Sequence, residues 1–133
     1  MTHRKDTLRD VPILAGFLAT LLEDARLAAI DAECEAGNLV AYVEGSGDTI
    51  YDCPDETFER AAEICRAFLA RPGVADMIAH ADAGPDLYLT CAGHGAGFWD
   101  GDWEPHGDAL TEAAKAVCPY LETYVGDDGR VYI

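Results

Sequence analysis

Apolar residues recur at helical spacing over the first third of the chain. Leu14, Phe17, Leu18, Leu21, Leu22, Ala25, Ala28 and Ala29 form one stripe, and Glu23, Asp24, Asp31, Glu33 and Glu35 supply its wet side. Asp10 and Pro12 stand where a cap and a first helical residue belong, and Gly37-Asn38 supplies a stop. The pattern predicts one long helix. Residues 39–44 read as a short strand or an extended connection, followed by a turn at Gly45-Ser46-Gly47-Asp48. A second helix is predicted behind Asp55 as cap. Phe58, Ala61, Ala62, Cys65, Phe68 and Leu69 face in, Glu56, Glu59 and Glu63 face out, and Pro72-Gly73 breaks it. Val74, Met77, Ile78 and Ala81 mark a shorter third helix.

The period then changes. Asp86-Leu87-Tyr88-Leu89-Thr90-Cys91 alternates with period two, which predicts a half-buried strand. Ala92-Gly93-His94-Gly95 turns the chain, and residues 96–100 read as the returning strand. Asp108 is the expected cap of a fourth helix with Leu110, Ala113, Ala114 and Val117 facing in; Pro119 ends it. Residues 120–125 and 130–133 form a second predicted hairpin over Gly126-Asp127-Asp128-Gly129, where Asp128-Gly129 is the turn signal. The expected fold class is α+β: N-terminal helices packed on a small antiparallel sheet built from two β-hairpins with an intervening helix. The expected organisation is a flexible tail over residues 1–9 and a single domain over 10–133.

Charge changes the picture more than any motif. The 133 residues carry 9 Lys and Arg against 25 Asp and Glu, a formal net charge of −16. Arg4, Lys5 and Arg9 sit in the first nine residues, leaving 6 basic against 24 acidic residues from position 10 onward. A compact domain with that imbalance repels DNA, RNA and anionic membranes and favours cations or basic protein surfaces. Solubility is the bland reading of the same charge. Half of the residues are hydrophobic, enough for a core without staples. No apolar run approaches the roughly 18 residues of a membrane span, and no signal peptide is read after the basic start, so a cytoplasmic location is expected.

Cys34, Cys53, Cys65, Cys91 and Cys118 are odd in number and show no C-x-x-C spacing, which argues against a disulfide framework and a structural zinc site. Buried, reduced thiols are expected. His94 stands between glycines at a turn tip. It is either a base or ligand held by that turn, or a bystander among glycines that let Phe98 and Trp99 pack close to backbone. Asp100, Asp102, Glu104, His106 and Asp108 alternate beside Trp99 and Trp103. Oxygen ligands at every second position suggest a calcium loop, but Thr111 stands where the twelfth-position Glu belongs, and Pro105 interrupts. His94, Asp100 and His106 remain weak metal candidates. No phosphate loop, nucleophile–base pair or cofactor motif is present, so neither catalysis nor a cofactor is expected.

The second half also carries a resemblance. Asp86-Leu87-Tyr88-Leu89-Thr90, Gly93-His94-Gly95-Ala96-Gly97-Phe98-Trp99-Asp100, Gly107-Asp108-Ala109-Leu110-Thr111-Glu112-Ala113-Ala114 and Thr123-Tyr124-Val125-Gly126-Asp127-Asp128-Gly129 resemble a family of small uncharacterised bacteriophage and prophage proteins. The likeness covers roughly residues 86–129. The family usually has Asn, sometimes with Arg, where this chain has Cys91-Ala92, and commonly Arg where it has Gly101. The resemblance implies a phage context and no catalytic residues.

Charge and context together lead to one functional expectation. The chain reads as an acidic interaction module that occupies the basic nucleic-acid groove of a host defence complex, of anti-CRISPR or anti-restriction type, without binding nucleic acid itself. Its expected contact residues are Glu56, Glu59, Glu63, His94, Trp99, Asp100, Asp102, Trp103 and Glu104, with the two Trp rings as anchors. Two alternatives stand beside it: a small metal-dependent enzyme or metal-binding protein built on His94, Asp100 and His106, and a phage accessory or structural protein whose acidity only solubilises. Oligomeric state is not legible in the sequence.

Overall fold

The apolar stripes fold as helices, and so does the segment that alternates. The computed structural model describes residues 4–36, 53–79, 81–93, 97–100, 103–125 and 130–133. The elements are α1 (Arg4–Asp10), α2 (Leu14–Ala36), α3 (Asp55–Leu69), α4 (Val74–Met77), α5 (Gly84–Ala92), a 3-10 turn at Phe98–Asp100, α6 (Gly107–Val117), β1 (Tyr124–Val125) and β2 (Val131–Tyr132). The strands pair antiparallel with Tyr124 opposite Tyr132 and Val125 opposite Val131. The architecture is therefore mostly helical with one two-stranded sheet among the described residues, and the α+β expectation of two hairpins is overturned. The residues expected as the strand of 39–44 and the turn of 45–48 lie outside the described residues.

The first expected hairpin fails for a local reason. Gly84, Leu87, Tyr88 and Cys91 are buried together at i, i+3, i+4 and i+7, the spacing of a helix face. Pro85 sits in the first turn, where its missing N–H costs nothing, and the Asp82 carboxylate accepts from Gly84 N–H at 2.9 Å. At the other end Gly93 takes a left-handed conformation, φ 75°, and stops the helix. The expected return strand is the 3-10 turn, in which Phe98 is buried and Trp99 exposed.

The cap expectations also shift. Asp10 ends α1 and pairs with Arg9. Asp55 is the first residue of α3, behind Pro54, and pairs with Arg4 at 2.7 Å. Asp108 lies one residue inside α6, which His106 precedes as cap. Residues 4–9, which belong to the expected tail of residues 1–9, are helical together with Asp10, and Thr7 is buried.

The core forms where the helix stripes meet. Leu14, Phe17, Leu18, Leu21 and Leu22 of α2, Phe58, Ala61, Ala62, Cys65 and Phe68 of α3, and Leu110, Ala113 and Ala114 of α6 are all buried. Each such Leu or Phe contributes about 1.5–3 kcal/mol by leaving water. Among the described residues, the most extensive helix pairing runs between α2 and α5. Tyr88 packs edge-on against Phe17, with ring centroids 5.6 Å apart, and its hydroxyl donates to the Asp24 carboxylate.

The C-terminal hairpin is tied to α3 by polar contacts. The buried Thr57 hydroxyl donates to Val131 O at 2.7 Å. Cys53 O accepts from the Arg4 guanidinium at 2.8 Å and from Arg130 at 3.0 Å, and Arg4 lies over the Phe58 ring, 4.9 Å from its centroid.

The α2–α5 seam has a pH signature. Burial pushes the Tyr88 phenol above its ordinary range, and the hydrogen bond to Asp24 pushes it further. The unfolded chain therefore gives up this proton first. The stabilisation is whole below the unfolded tyrosine pKa of about 10 and declines as pH rises past it. Tyr88→Phe is expected to cost about 1.5 kcal/mol at neutral pH and to flatten the part of the alkaline loss above about pH 10. Urea unfolding midpoints of both proteins across that range measure it. The buried thiols of Cys53 and Cys65, also pushed up by burial, keep their share of the alkaline loss in both.

Candidate functional site

The segment from Gly97 to Gly107 is where the expected contact residues concentrate, and its backbone is anchored to α5. Phe98 N–H donates to the Thr90 hydroxyl at 3.3 Å, and that hydroxyl in turn donates to Asp86 O at 2.7 Å. Phe98 stacks on Phe68, centroids 5.5 Å apart at 14°, while Trp103 meets Phe98 edge-on at 5.5 Å. The Trp103 indole N–H donates to the Asp86 carboxylate. Only 3% of Trp103 is exposed. It is a core residue that holds the loop down, and the anchor role expected of it is withdrawn. Trp99, 40% exposed, is the Trp that reaches the surface.

The remaining expected residues divide clearly. Glu56, Glu59 and Glu63 are exposed on α3 at i, i+3 and i+7, which places them on one face. Arg60 lies between them in sequence and Arg66 follows, both exposed, so this face is mixed in sign. Glu104 and His106 are exposed ahead of α6, and His106 N–H donates to Trp103 O at 2.7 Å. Asp100 closes the 3-10 turn. His94 and Asp102 lie outside the described residues, and the weak metal site expected of His94, Asp100 and His106 lies outside them with His94. Among the described residues no group of three or more His, Cys, Asp and Glu could hold a metal ion.

Two exposed sets of residues were not among the expected contacts. Asp108 and Glu112 extend Glu104 along α6 at four-residue steps, with Lys115 one turn on. The helical period of Leu110, Ala113 and Ala114 already placed them outward. Tyr120 and Tyr124 are 67% and 59% exposed. Their alternation within an expected strand carried the signal, but not which face would be covered.

Electrostatics follow from placement. Leaving aside residues 26–36 and Asp100, every described Asp and Glu side chain is exposed or partly exposed. The ion pairs between described residues use only Arg4 and Arg9 among the cations, with Asp55, Asp6 and Asp10 as partners. Arg4 and Arg130 are further committed to the Cys53 carbonyl. Scarce positive charge is thus partly spent inside the fold, while most of the described carboxylates, Asp24 and Asp86 apart, face solvent. No helix among the described residues is long and apolar enough to cross a membrane. No protein-family model, curated protein or solved structure matches the chain.

Proposed function

We propose that this chain is an acidic interaction module that docks on the basic nucleic-acid-binding surface of a host defence complex, of CRISPR-effector or restriction type, and excludes nucleic acid from it. The observation that carries the reading is the outward placement of the carboxylates on ordered helices at a net charge of −16. Carboxylates fixed along helices at intervals of several ångströms offer a basic groove what a phosphate backbone offers it. The resemblance to phage proteins supplies the setting, which places the action in the host cytoplasm. Glu56, Glu59 and Glu63 on α3, and Glu104 with Trp99 beside α6, are the contact residues of this proposal. Trp99 supplies the apolar contact that charge alone lacks.

The test is competition. Partners captured from a bacterial lysate at low salt are expected to be basic nucleic-acid-binding proteins and to be released by added duplex DNA. A protein carrying Glu56→Gln, Glu59→Gln and Glu63→Gln is expected to lose at least about tenfold in affinity for that partner at low salt, with an unchanged urea midpoint because the three side chains are exposed. Capture that duplex DNA does not disturb would end this reading and favour an accessory role in which the acidity only solubilises.

A further inference from the structure

Exposure alternates along the segment that leads from α6 into β1. Leu121 is buried, with its N–H donating to Cys91 O at 2.9 Å, and Thr123 is half-buried. Tyr120, Glu122 and Tyr124 are exposed between them, and the period of two puts these three on the outer face. Tyr132 stands opposite Tyr124 in the antiparallel pair and so shares its face. The two rings stack, centroids 5.5 Å apart at 15°. Tyr132 covers one side of the Tyr124 ring, yet Tyr124 and Tyr120 remain largely exposed. Two large aromatic side chains are thus held up to solvent with a carboxylate between them in sequence.

We propose that Tyr120, Glu122 and Tyr124 form a platform that takes an arginine side chain of a basic protein partner. The proposal rests on the acidic docking reading above and adds the chemistry that this second patch selects. A guanidinium lies flat on an aromatic face, where the ring quadrupole attracts it, and its N–H groups point outward in the ring plane toward a carboxylate. The stack with Tyr132 holds the Tyr124 ring in place, so less freedom is lost when the arginine settles on it.

Charge complementarity makes the occupant a cation. Among the described residues the ion pairs leave Glu122 uncompensated, and the chain as a whole carries −16. Arg130, next to β2, is committed to Cys53 O at 3.0 Å. Tyr120 also lines a surface cleft of about 400 Å³ together with Arg60, Glu63, Ile64 and Pro119. Arg60 and Glu63 are opposite in sign, so the cleft adds no net charge and Glu122 decides the sign of the patch. A second copy of the chain is repelled by its own charge, and a nucleic-acid base that could use the same rings brings phosphates with it. Arginine is preferred to lysine because its planar group is more weakly hydrated and matches the ring face.

The test titrates the full chain with nona-arginine and nona-lysine peptides, which carry equal charge. The arginine peptide is expected to bind at least about threefold more tightly. Tyr120→Leu with Tyr124→Leu keeps apolar bulk at both positions and is expected to abolish that preference while leaving affinity for the lysine peptide unchanged. The Glu56, Glu59 and Glu63 glutamine variant is expected to weaken both peptides alike and to keep the preference. Amide spectra of the parent protein, which need no variant to fold, are expected to show the arginine peptide's largest saturable shifts at residues 120–124 and 132. Equal affinity of the parent for the two peptides, a preference that survives the leucine substitutions, or largest shifts on α3 would each overturn the platform and leave the acidic docking reading standing. Binding of neither peptide would overturn both.

Discussion

A Gly84→Ala protein is expected to unfold at a markedly lower urea concentration than the parent. A Cβ at this position would lie within 2.6 Å of Phe17 N and closer still to Ile13 O, both backbone atoms of the α2 entry. Neither can swing aside as a side-chain tip can, so α5 has to lift off α2. That seam also holds the Tyr88–Phe17 contact and the Tyr88–Asp24 hydrogen bond. Overpacking ordinarily costs about 1–3 kcal/mol, and backbone against backbone puts this site at or above the top of that range. A small domain has only about 5–15 kcal/mol in total. Two other glycines set the scale. At Gly16 an added Cβ would lie 2.5 Å from the Asp82 side-chain oxygen and 2.8 Å from the Pro85 ring carbon, so alanine there costs the Asp82–Gly84 hydrogen bond and a shift of the Pro85 ring but meets no backbone atom so closely. At Gly93 nothing lies within 4 Å, and alanine meets only the left-handed backbone at φ 75°, worth about 1 kcal/mol. The expected order of loss is therefore Gly84→Ala well ahead of Gly93→Ala. Equal midpoints for the two would mean that α2 and α5 are not in backbone contact.

Trp103→Ala is expected to cost about 3–5 kcal/mol, the range for emptying a buried aromatic site. It removes the edge-on contact with Phe98 and the indole N–H that Asp86 accepts. Trp103→Phe keeps most of the packing and gives up the hydrogen bond to a carboxylate, a loss of about 1.5–3 kcal/mol. Trp99→Ala removes an exposed ring and is expected to shift stability by no more than about 0.5 kcal/mol. The pair separates two roles that look alike in sequence. If Trp99 is the surface contact, its alanine variant folds normally and binds the partner less well. Near-neutral stability for Trp103→Ala would contradict the placement of that ring in the core.

Much of the helical core was legible because its signal is periodic. Phe58, Ala61, Ala62, Cys65 and Phe68, like Leu14, Phe17, Leu18, Leu21 and Leu22, are buried where their spacing put them. The final hairpin was legible from its turn residues, and the described strands pair across them. The segment from Asp86 to Cys91 misled because Leu87, Leu89 and Cys91 alternate, while in the fold Leu87, Tyr88, Thr90 and Cys91 are buried and Leu89 only partly so. Leu, Tyr, Thr and Cys hold no strong preference between helix and strand, so burial against Phe17 and the Pro85 and Gly93 boundaries decide the outcome. The site was legible only as composition. Which Trp faces water depends on Phe98 stacking on Phe68, a residue from a different helix and invisible to local pattern.

The most direct measurement is the salt dependence of affinity for the captured partner. An ordered carboxylate surface predicts that affinity falls by at least about tenfold between roughly 0.05 and 0.2 M salt, and that the Glu56, Glu59 and Glu63 glutamine variant shows a shallower slope. Equal affinity at both salt concentrations, with the variant indistinguishable from the parent, would contradict it.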